Sequence, residues 1–225
     1  MLQEYYQYTD EAGEADLILL NTCSVRDKAE QKVYSLLGRL RKLKQANPKL
    51  KIGVGGCVAQ QEGQQILARE RSVDLVFGTD NLFELPELLA EVAQGERVAR
   101  TNRVAPRQKV RNFIPEEASL SKGVNLKAHL AITKGCNNFC SFCIVPVTRG
   151  LEVSREPENI LQEARNLVAQ GVCEICLLGQ NVNSYKADGV DCVELLRRMD
   201  KIEGLQRTRF TSPHPKDFRE QLAEG

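Results

Sequence analysis

The sequence predicts an α/β fold made of two successive strand-and-helix series, and three observations carry that reading. Short apolar runs alternate with amphipathic stretches through both halves. Turn-formers punctuate them, as at Asn47-Pro48 and Gly55-Gly56. Between Gly95 and Asn125 the alternation lapses, and Arg, Asn, Pro and Ser replace the apolar periodicity. With 225 residues and 42% hydrophobic content the chain can bury a real core, and its length suits one or two domains.

Asp16–Asn21 (DLILLN) reads as a buried strand. Ala29, Val33, Leu36, Leu37, Leu40 and Leu43 then recur at helical spacing, so one helix is expected over Asp27–Ala46, stopped by Asn47-Pro48. Lys51–Val54 is the next strand, Gly55-Gly56 a tight turn and Ala59–Arg69 a helix. A third strand at Val73–Phe77 precedes a helix at Leu82–Val92, with Thr79-Asp80-Asn81 as caps. Three strands with crossover helices make a Rossmann- or flavodoxin-like domain over residues 1–94, thin for a doubly wound sheet, so an upstream strand and helix are expected to be missing. Residues 95–125 read as a linker.

The second series, over residues 126–225, starts with a strand at Leu126–Thr133 and a Gly- and Cys-rich loop. A helix at Pro157–Gln170, a strand at Glu174–Leu178, a helix at Val190–Met199, a strand at Arg207–Thr211 and the start of a helix at Lys216–Ala223 follow. Such a series belongs to a (β/α) barrel, here partial and cut short at its C-terminus. Chemistry is expected at the C-terminal ends of its strands.

The 31 basic and 30 acidic residues nearly cancel to a net charge of +1, so nucleic acid would have to be met by a local patch. Arg39, Arg41, Lys42 and Lys44 at the end of the first helix, and Arg97, Arg100, Arg103, Arg107, Lys109 and Arg111 in the linker, are candidates, with solvated surface the favoured reading. No apolar run approaches the roughly 18 residues that cross a bilayer, and the acidic N-terminus lacks the pattern of a signal peptide; a soluble, cytoplasmic protein with no membrane partner is expected. Eight cysteines in a chain dominated by strand and helix patterns point to metal or redox chemistry rather than a disulfide scaffold.

Cys136, Cys140 and Cys143 form C-x3-C-x2-C in the loop directly after a strand. Three thiolates from one short loop can hold three irons of a four-iron cubane and leave the fourth iron open to an exogenous ligand, here suited to the amino and carboxylate groups of S-adenosylmethionine. A structural zinc needs a fourth ligand, and the nearest histidine, His129, sits on a strand position without zinc-finger spacing. Cys23 and Cys57 each end a strand of the first series and should face one crevice, where they form a second site or are two buried structural cysteines. Cys173 and Cys176 spell C-x-x-C but point to opposite faces of a strand, so these and Cys192 read as structural. His129 and His214 read as structural too, although His214 ends a barrel strand and could line the site.

The words GCNNFCSFCIVP, Thr148-Arg149-Gly150, LLGQNVNSY (177–185) and RFTSPHP (209–215) resemble the MiaB-type tRNA methylthiotransferases of the radical S-adenosylmethionine superfamily. NTCSVR (21–26) and GVGGCVAQQ (53–61) are similar to that family's N-terminal cluster-binding domain, so the likeness covers nearly the entire chain. The resemblance implies a radical S-adenosylmethionine barrel with a catalytic [4Fe-4S] cluster on Cys136, Cys140 and Cys143. It also implies an auxiliary [4Fe-4S] cluster on Cys23, Cys57 and a third cysteine, from a word like TYGCQMN that this sequence does not contain. The chain therefore reads as a fragment, and an inactive cluster-binding product is one alternative.

By the same resemblance Phe142 packs beside the cofactor's adenine, Gly179 and Gln180 approach its amino-acid end, and Arg155 is a candidate partner for its carboxylate. The implied reaction splits S-adenosylmethionine to methionine and a 5'-deoxyadenosyl radical, and places a methylthio group on C2 of N6-isopentenyladenosine at position 37 of tRNA. Threonylcarbamoyl-adenosine tRNA and a ribosomal-protein aspartate are the alternative substrates within the family. Implied partners are tRNA and an external electron donor such as a flavodoxin or ferredoxin, with the enzyme a monomer.

Overall fold

The computed structural model describes residues 2, 5–24, 27–104, 126–218 and 220–224. Most of the expected linker, with Arg107, Lys109 and Arg111, lies outside the described residues, as do residues 25 and 26. The chain divides into two compact units, one of Met1–Val104 with Val147–Arg149, the other of Ala105–Pro146 with Gly150–Gly225. No helix among the described residues is long and apolar enough to cross a membrane.

The first unit runs β1 (Leu17–Thr22), α1 (Asp27–Ala46), β2 (Lys51–Gly56), α2 (Cys57–Glu62), α3 (Gln64–Arg69), β3 (Leu75–Phe77), a 3-10 turn (Leu82–Glu84), α4 (Leu85–Ala93) and β4 (Val98–Arg100). All four strands are parallel, in the order β1-β2-β3-β4, with Leu17 opposite Lys51 and Thr22 opposite Gly56. Alternation along the strands sends Ile52, Val54 and Val76 into a cluster with Leu37 and Leu40 of α1 and with Val58, Ile66 and Leu67 of α2 and α3. Leu75 and Phe77 join Leu85, Leu88, Leu89 and Val92 of α4 in a separate cluster. The sheet is therefore buried on both faces, as parallel sheets require. Asp74 accepts a hydrogen bond from the Ile52 amide at 2.8 Å and pairs with Lys44, tying α1, β2 and the start of β3 together.

Four sequence expectations change here. Gly55-Gly56 is not a turn: β2 runs through both, because Gly55 leaves room for the Phe77 ring, which a Cβ at Gly55 would meet at 2.2 Å. The helix expected over Ala59–Arg69 is broken at Gly63, whose φ of 49° lies in the left-handed region. Asn81 does not cap its turn; its side-chain amide donates to Glu84 Oε1 at 2.7 Å instead. The fourth strand, β4, occupies residues assigned to the linker, and its only buried side chain is Val98.

The second unit holds β5 (Lys127–Ala131), β6 (Thr133–Lys134), β7 (Val153–Ser154), α6 (Pro157–Ala169), β8 (Glu174–Leu178), β9 (Lys186–Ala187), β10 (Val190–Asp191), α7 (Cys192–Asp200), β11 (Arg207–Phe210) and α8 (Glu220–Glu224). Between β6 and β7 the chain forms the short helix α5 (Val145–Arg149). Strands β11, β8 and β5 make a parallel sheet in that order. Leu130, Ile175 and Leu177 point into one core with Ile160, Leu161, Ala164 and Leu167 of α6 and Leu195 and Met199 of α7. The opposite face carries Lys127, His129, Glu174, Cys176, Arg207 and Arg209, with Glu174 paired to Lys127, Arg207 and Arg209. This is a partial (β/α) barrel with its helices on one side.

The strand expected over Leu126–Thr133 is two: β5 joins the barrel sheet, whereas β6 turns to pair antiparallel with β7. The helix expected from Val190 starts at Cys192, because Asp191 accepts the Glu194 amide at 2.9 Å and caps it, while Val190-Asp191 closes a hairpin with β9.

Candidate iron-sulfur and cofactor site

The β6/β7 ribbon is the neck of the cysteine loop, with Thr133 opposite Ser154 and Lys134 opposite Val153. Inside that neck Gly135 has a φ of 81°, and a Cβ there would meet the carbonyl oxygens of Leu151 and Gly150 at 2.3 and 2.4 Å, so only glycine fits before the first cysteine. The Cys136 amide donates to Gly150 O at 3.1 Å, and the Cys143 amide closes a turn on Cys140 O at 2.9 Å. Phe139 adopts a φ of 46°, unusual for a bulky residue, which bends the segment between the first two thiols back on itself. Cys136 is buried, whereas Cys140 and Cys143 are half-buried.

Burial pushes the Cys136 thiol above its ordinary value; a hydrogen bond with the Asn138 backbone opposes the shift, and Glu152, Cys143 and Cys140 add to it. Cys136 thus feels the charge of the other two thiols on the same loop. Among the described residues no three His, Cys, Asp or Glu side chains gather around a point that one metal ion could occupy. A cubane asks for something else, one thiolate on each of three irons, and three free thiols on one short loop are donors of that type.

Two further loops leave the C-terminal ends of β8 and β11 and seat the cysteine loop. Gln180 Oε1 accepts the Gly135 amide at 2.6 Å, and a Cβ at Gly179 would meet Thr133 Oγ1 at 2.1 Å, so β8 ends flush against the neck. Asn181 donates to Asp217 at 2.7 Å, and Asn183 makes two bonds to the His214 backbone, at 3.0 and 2.8 Å, tying the β8 and β11 loops together. His214 Nε2 stands 3.6 Å from Cys140 Sγ. Ser184 donates to Glu152 Oε1 at 2.7 Å, and burial, reinforced by Asp217 and opposed by that hydrogen bond, raises the Glu152 carboxyl above its usual range.

Of the remaining sequence candidates, Phe142 stands 90% exposed on the cysteine loop. Arg155 is turned the other way: it is 1% exposed, its Nη1 lies 2.5 Å from Glu163 Oε2, and it donates to the carbonyls of Ala131 and Asn159. Its carboxylate partner in this structure is a residue of the chain itself. Glu152, Asn183 and Ser184 belong to the site without having been singled out in the sequence. Asn183 and Ser184 sit in LLGQNVNSY, but nothing in that word separates a residue that lines a site from one that ties two loops.

In the first unit Cys23 follows Thr22 and Cys57 follows Gly56, and Thr22 and Gly56 are register partners. Both cysteines therefore leave adjacent parallel strands at one level. Thr22 Oγ1 donates to Gly55 O at 2.6 Å and accepts the Val58 amide at 3.2 Å, which fixes the two strand ends to each other. Cys57 is buried at the start of α2, and Cys23 is exposed. Cys173, Cys176 and Cys192 are free thiols, Cys173 donating to Leu126 O at 3.4 Å. Of the basic candidates, Arg97 donates to the carbonyls of Leu67, Glu70 and Val73, and Arg100 pairs with Glu84 and Glu91. Arg103 lies 3.6 Å from Asp80.

Residues 130–224 match the radical SAM superfamily, and residues 1–78 match a family described as uncharacterized protein family UPF0004. A solved structure of TsrM from Kitasatospora setae, a radical S-adenosylmethionine methyltransferase, aligns with a TM-score of 0.57 at 17% identity, over 99% of this chain and 48% of that one, a likeness of fold alone. The match over residues 130–224, together with the partial barrel, is that of the radical S-adenosylmethionine superfamily.

Within it, the chain is 48% identical over 98% of its length to a tRNA-2-methylthio-N(6)-dimethylallyladenosine synthase of Cereibacter sphaeroides. To the proteins of the same name from Geobacter metallireducens and Serratia proteamaculans it is 50% and 48% identical, over 97% and 96% of its length. It covers 49%, 49% and 46% of those proteins, so the chain spans about half the length of the curated relatives it matches. The chain belongs to the tRNA methylthiotransferase family of radical S-adenosylmethionine enzymes.

Proposed function

We propose that Cys136, Cys140 and Cys143 hold a [4Fe-4S] cluster whose open iron takes S-adenosylmethionine, and that the chain serves in tRNA 2-methylthio-N6-dimethylallyladenosine synthesis, the modification of C2 of N6-isopentenyladenosine at position 37. The observation that carries the proposal is the three-thiol loop seated at the C-terminal ends of β5, β8 and β11, in a chain half identical to relatives named for that reaction. When bound, the cluster and its cofactor supply one-electron cleavage chemistry.

The chain's own residues position and shield. Gly135 and Gly179 allow the loop neck and the end of β8 to meet, and Gln180 locks the neck through the Gly135 amide. Burial of Cys136 keeps water from the base of the loop. Phe142, exposed beside Cys143, is the apolar surface offered to the cofactor's adenine, with Gly179 and Gln180 at its amino-acid end. Cys23 and Cys57, leaving adjacent strands at one level, supply two ligands of the auxiliary cluster. The partners are tRNA and a one-electron donor of the flavodoxin or ferredoxin class, in the cytoplasm, with the enzyme a monomer.

Iron and acid-labile sulfide are measured after anaerobic reconstitution of the parent and of Cys136→Ala. About four irons per chain, lost in the variant, fit the radical cluster alone, and about eight in the parent include the auxiliary one. A parent without iron overturns the proposal. Nucleoside analysis of tRNA from a strain lacking the endogenous enzyme, with and without this chain, tests the substrate.

A further inference from the structure

The Cys140 sulfur has a neighbour that the cluster does not require. His214 Nε2 lies 3.6 Å from it, within reach of an N–H···S hydrogen bond. Two sets of contacts fix that ring. Its backbone is held on both sides by Asn183, which accepts the His214 amide at 2.8 Å and donates to its carbonyl at 3.0 Å. Its Nδ1 accepts the Lys216 amide at 3.2 Å, as the cap of the 3-10 turn Pro215–Asp217. A nitrogen that accepts an N–H carries no proton of its own, so the ring's proton sits on Nε2 and points at the sulfur.

We propose that His214 donates this proton in a hydrogen bond to the Cys140 thiolate and thereby raises the reduction potential of the cluster the thiolate serves. The inference rests on the cluster reading above. Reduction adds one electron, supplied by an external donor, and increases the negative charge on the cysteine sulfurs. A donor aimed at one of them stabilises the reduced state more than the oxidised one. His214 acts through Cys140 rather than on a reacting atom, so it is a positioning residue. It lies 74 residues from Cys140 and reaches the sulfur only because the β11 and β8 loops are tied together.

Two variants separate the donor from the cap. His214→Asn keeps an acceptor near the Nδ1 position for the Lys216 amide but is too short to reach the sulfur; His214→Gln places an N–H near the Nε2 position. The reconstituted chains are titrated with dithionite, and the reduced cluster is followed by electron paramagnetic resonance. The expected result is a fall on the order of tenfold in the equilibrium constant for reduction of His214→Asn, about 59 mV for one electron, with His214→Gln close to the parent. Equal potentials in all three at equal iron loading overturn the proposal and leave the cluster reading intact. Loss of iron from His214→Asn alone also overturns it, since His214 would then hold the loop rather than tune the cluster. A parent that loads no iron removes the cluster reading and this inference together.

Discussion

Substituting Gly179 by alanine tests whether the end of β8 positions the cysteine loop. The added Cβ would lie 2.1 Å from Thr133 Oγ1, where ordinary contact begins near 3.4 Å, so about 1.3 Å of separation must be opened. Thr133 is 2% exposed and sits in the β6/β7 neck, and Val182 Cγ2 already stands 3.2 Å from the same Cβ, so neither neighbour has solvent to move into. Overfilling a packed site of this kind costs ~1–3 kcal/mol. In a unit of roughly one hundred residues each kcal/mol lowers the melting temperature by ~4–8 °C. Thermal unfolding of Gly179→Ala should therefore fall by at least about 4 °C, with weaker iron retention. Adding Thr133→Ala removes the closest atom and should recover most of the loss, a coupling between neighbours that independent sites do not show. Gly38→Ala, in α1 with nothing within 4 Å of its Cβ, is the opposite control and should stabilise by ~0.5–1 kcal/mol. A Gly179→Ala chain that melts at or above the parent, or a loss that Thr133→Ala leaves untouched, would refute the reasoning.

Arg155→Ala strands the Glu163 carboxylate, whose side chain is only 15% exposed, and breaking one side of a buried pair costs ~3–5 kcal/mol. Thermal unfolding should register the loss even without cofactor; a variant as stable as the parent that binds S-adenosylmethionine less well would instead return Arg155 to the cofactor. Burial pushes the Cys192 thiol up to about 11, so the neutral thiol is the form the fold favours. The stability this contributes is present below the ordinary value of 9.0 and is lost as pH rises through about 11. Iodoacetamide at pH 8 should accordingly label exposed Cys23 well before Cys192 in the folded metal-free chain, and equal rates would contradict the burial of Cys192 at the start of α7.

What the sequence made legible was whatever repeats or clusters along the chain. The 20-residue helix α1 announces itself through six apolar residues at one spacing, and β8 through a short apolar run between polar ends. The thiols of Cys136, Cys140 and Cys143 lie within eight consecutive positions, so the chemistry proposed for them can be read without any fold. What stayed hidden depends on partners distant in sequence. Strand β4 is three residues long with Val98 as its only buried side chain, and flanking arginines made it look like linker. Gly55-Gly56 reads as a turn until Phe77, 22 positions beyond Gly55, is seen to need the space.

Arg155 shows a different limit, at shorter range. A guanidinium in a motif near a cofactor loop is compatible with a carboxylate from the ligand or from the protein, and only the fold brings Glu163 to it. His214 is the converse, a residue read first as structural and only second as lining the site, whose ring the loops deliver to the Cys140 sulfur. In both cases the residue type states a capacity, pairing with a carboxylate or donation to a thiolate, and the fold decides which partner receives it: the helix that follows for Arg155, the tied β8 and β11 loops for His214. The neck glycines and the Asn183 clamp therefore matter to the proposed site as much as the cysteines do, because a shift of the β8 or β11 loop would change what Cys140 faces.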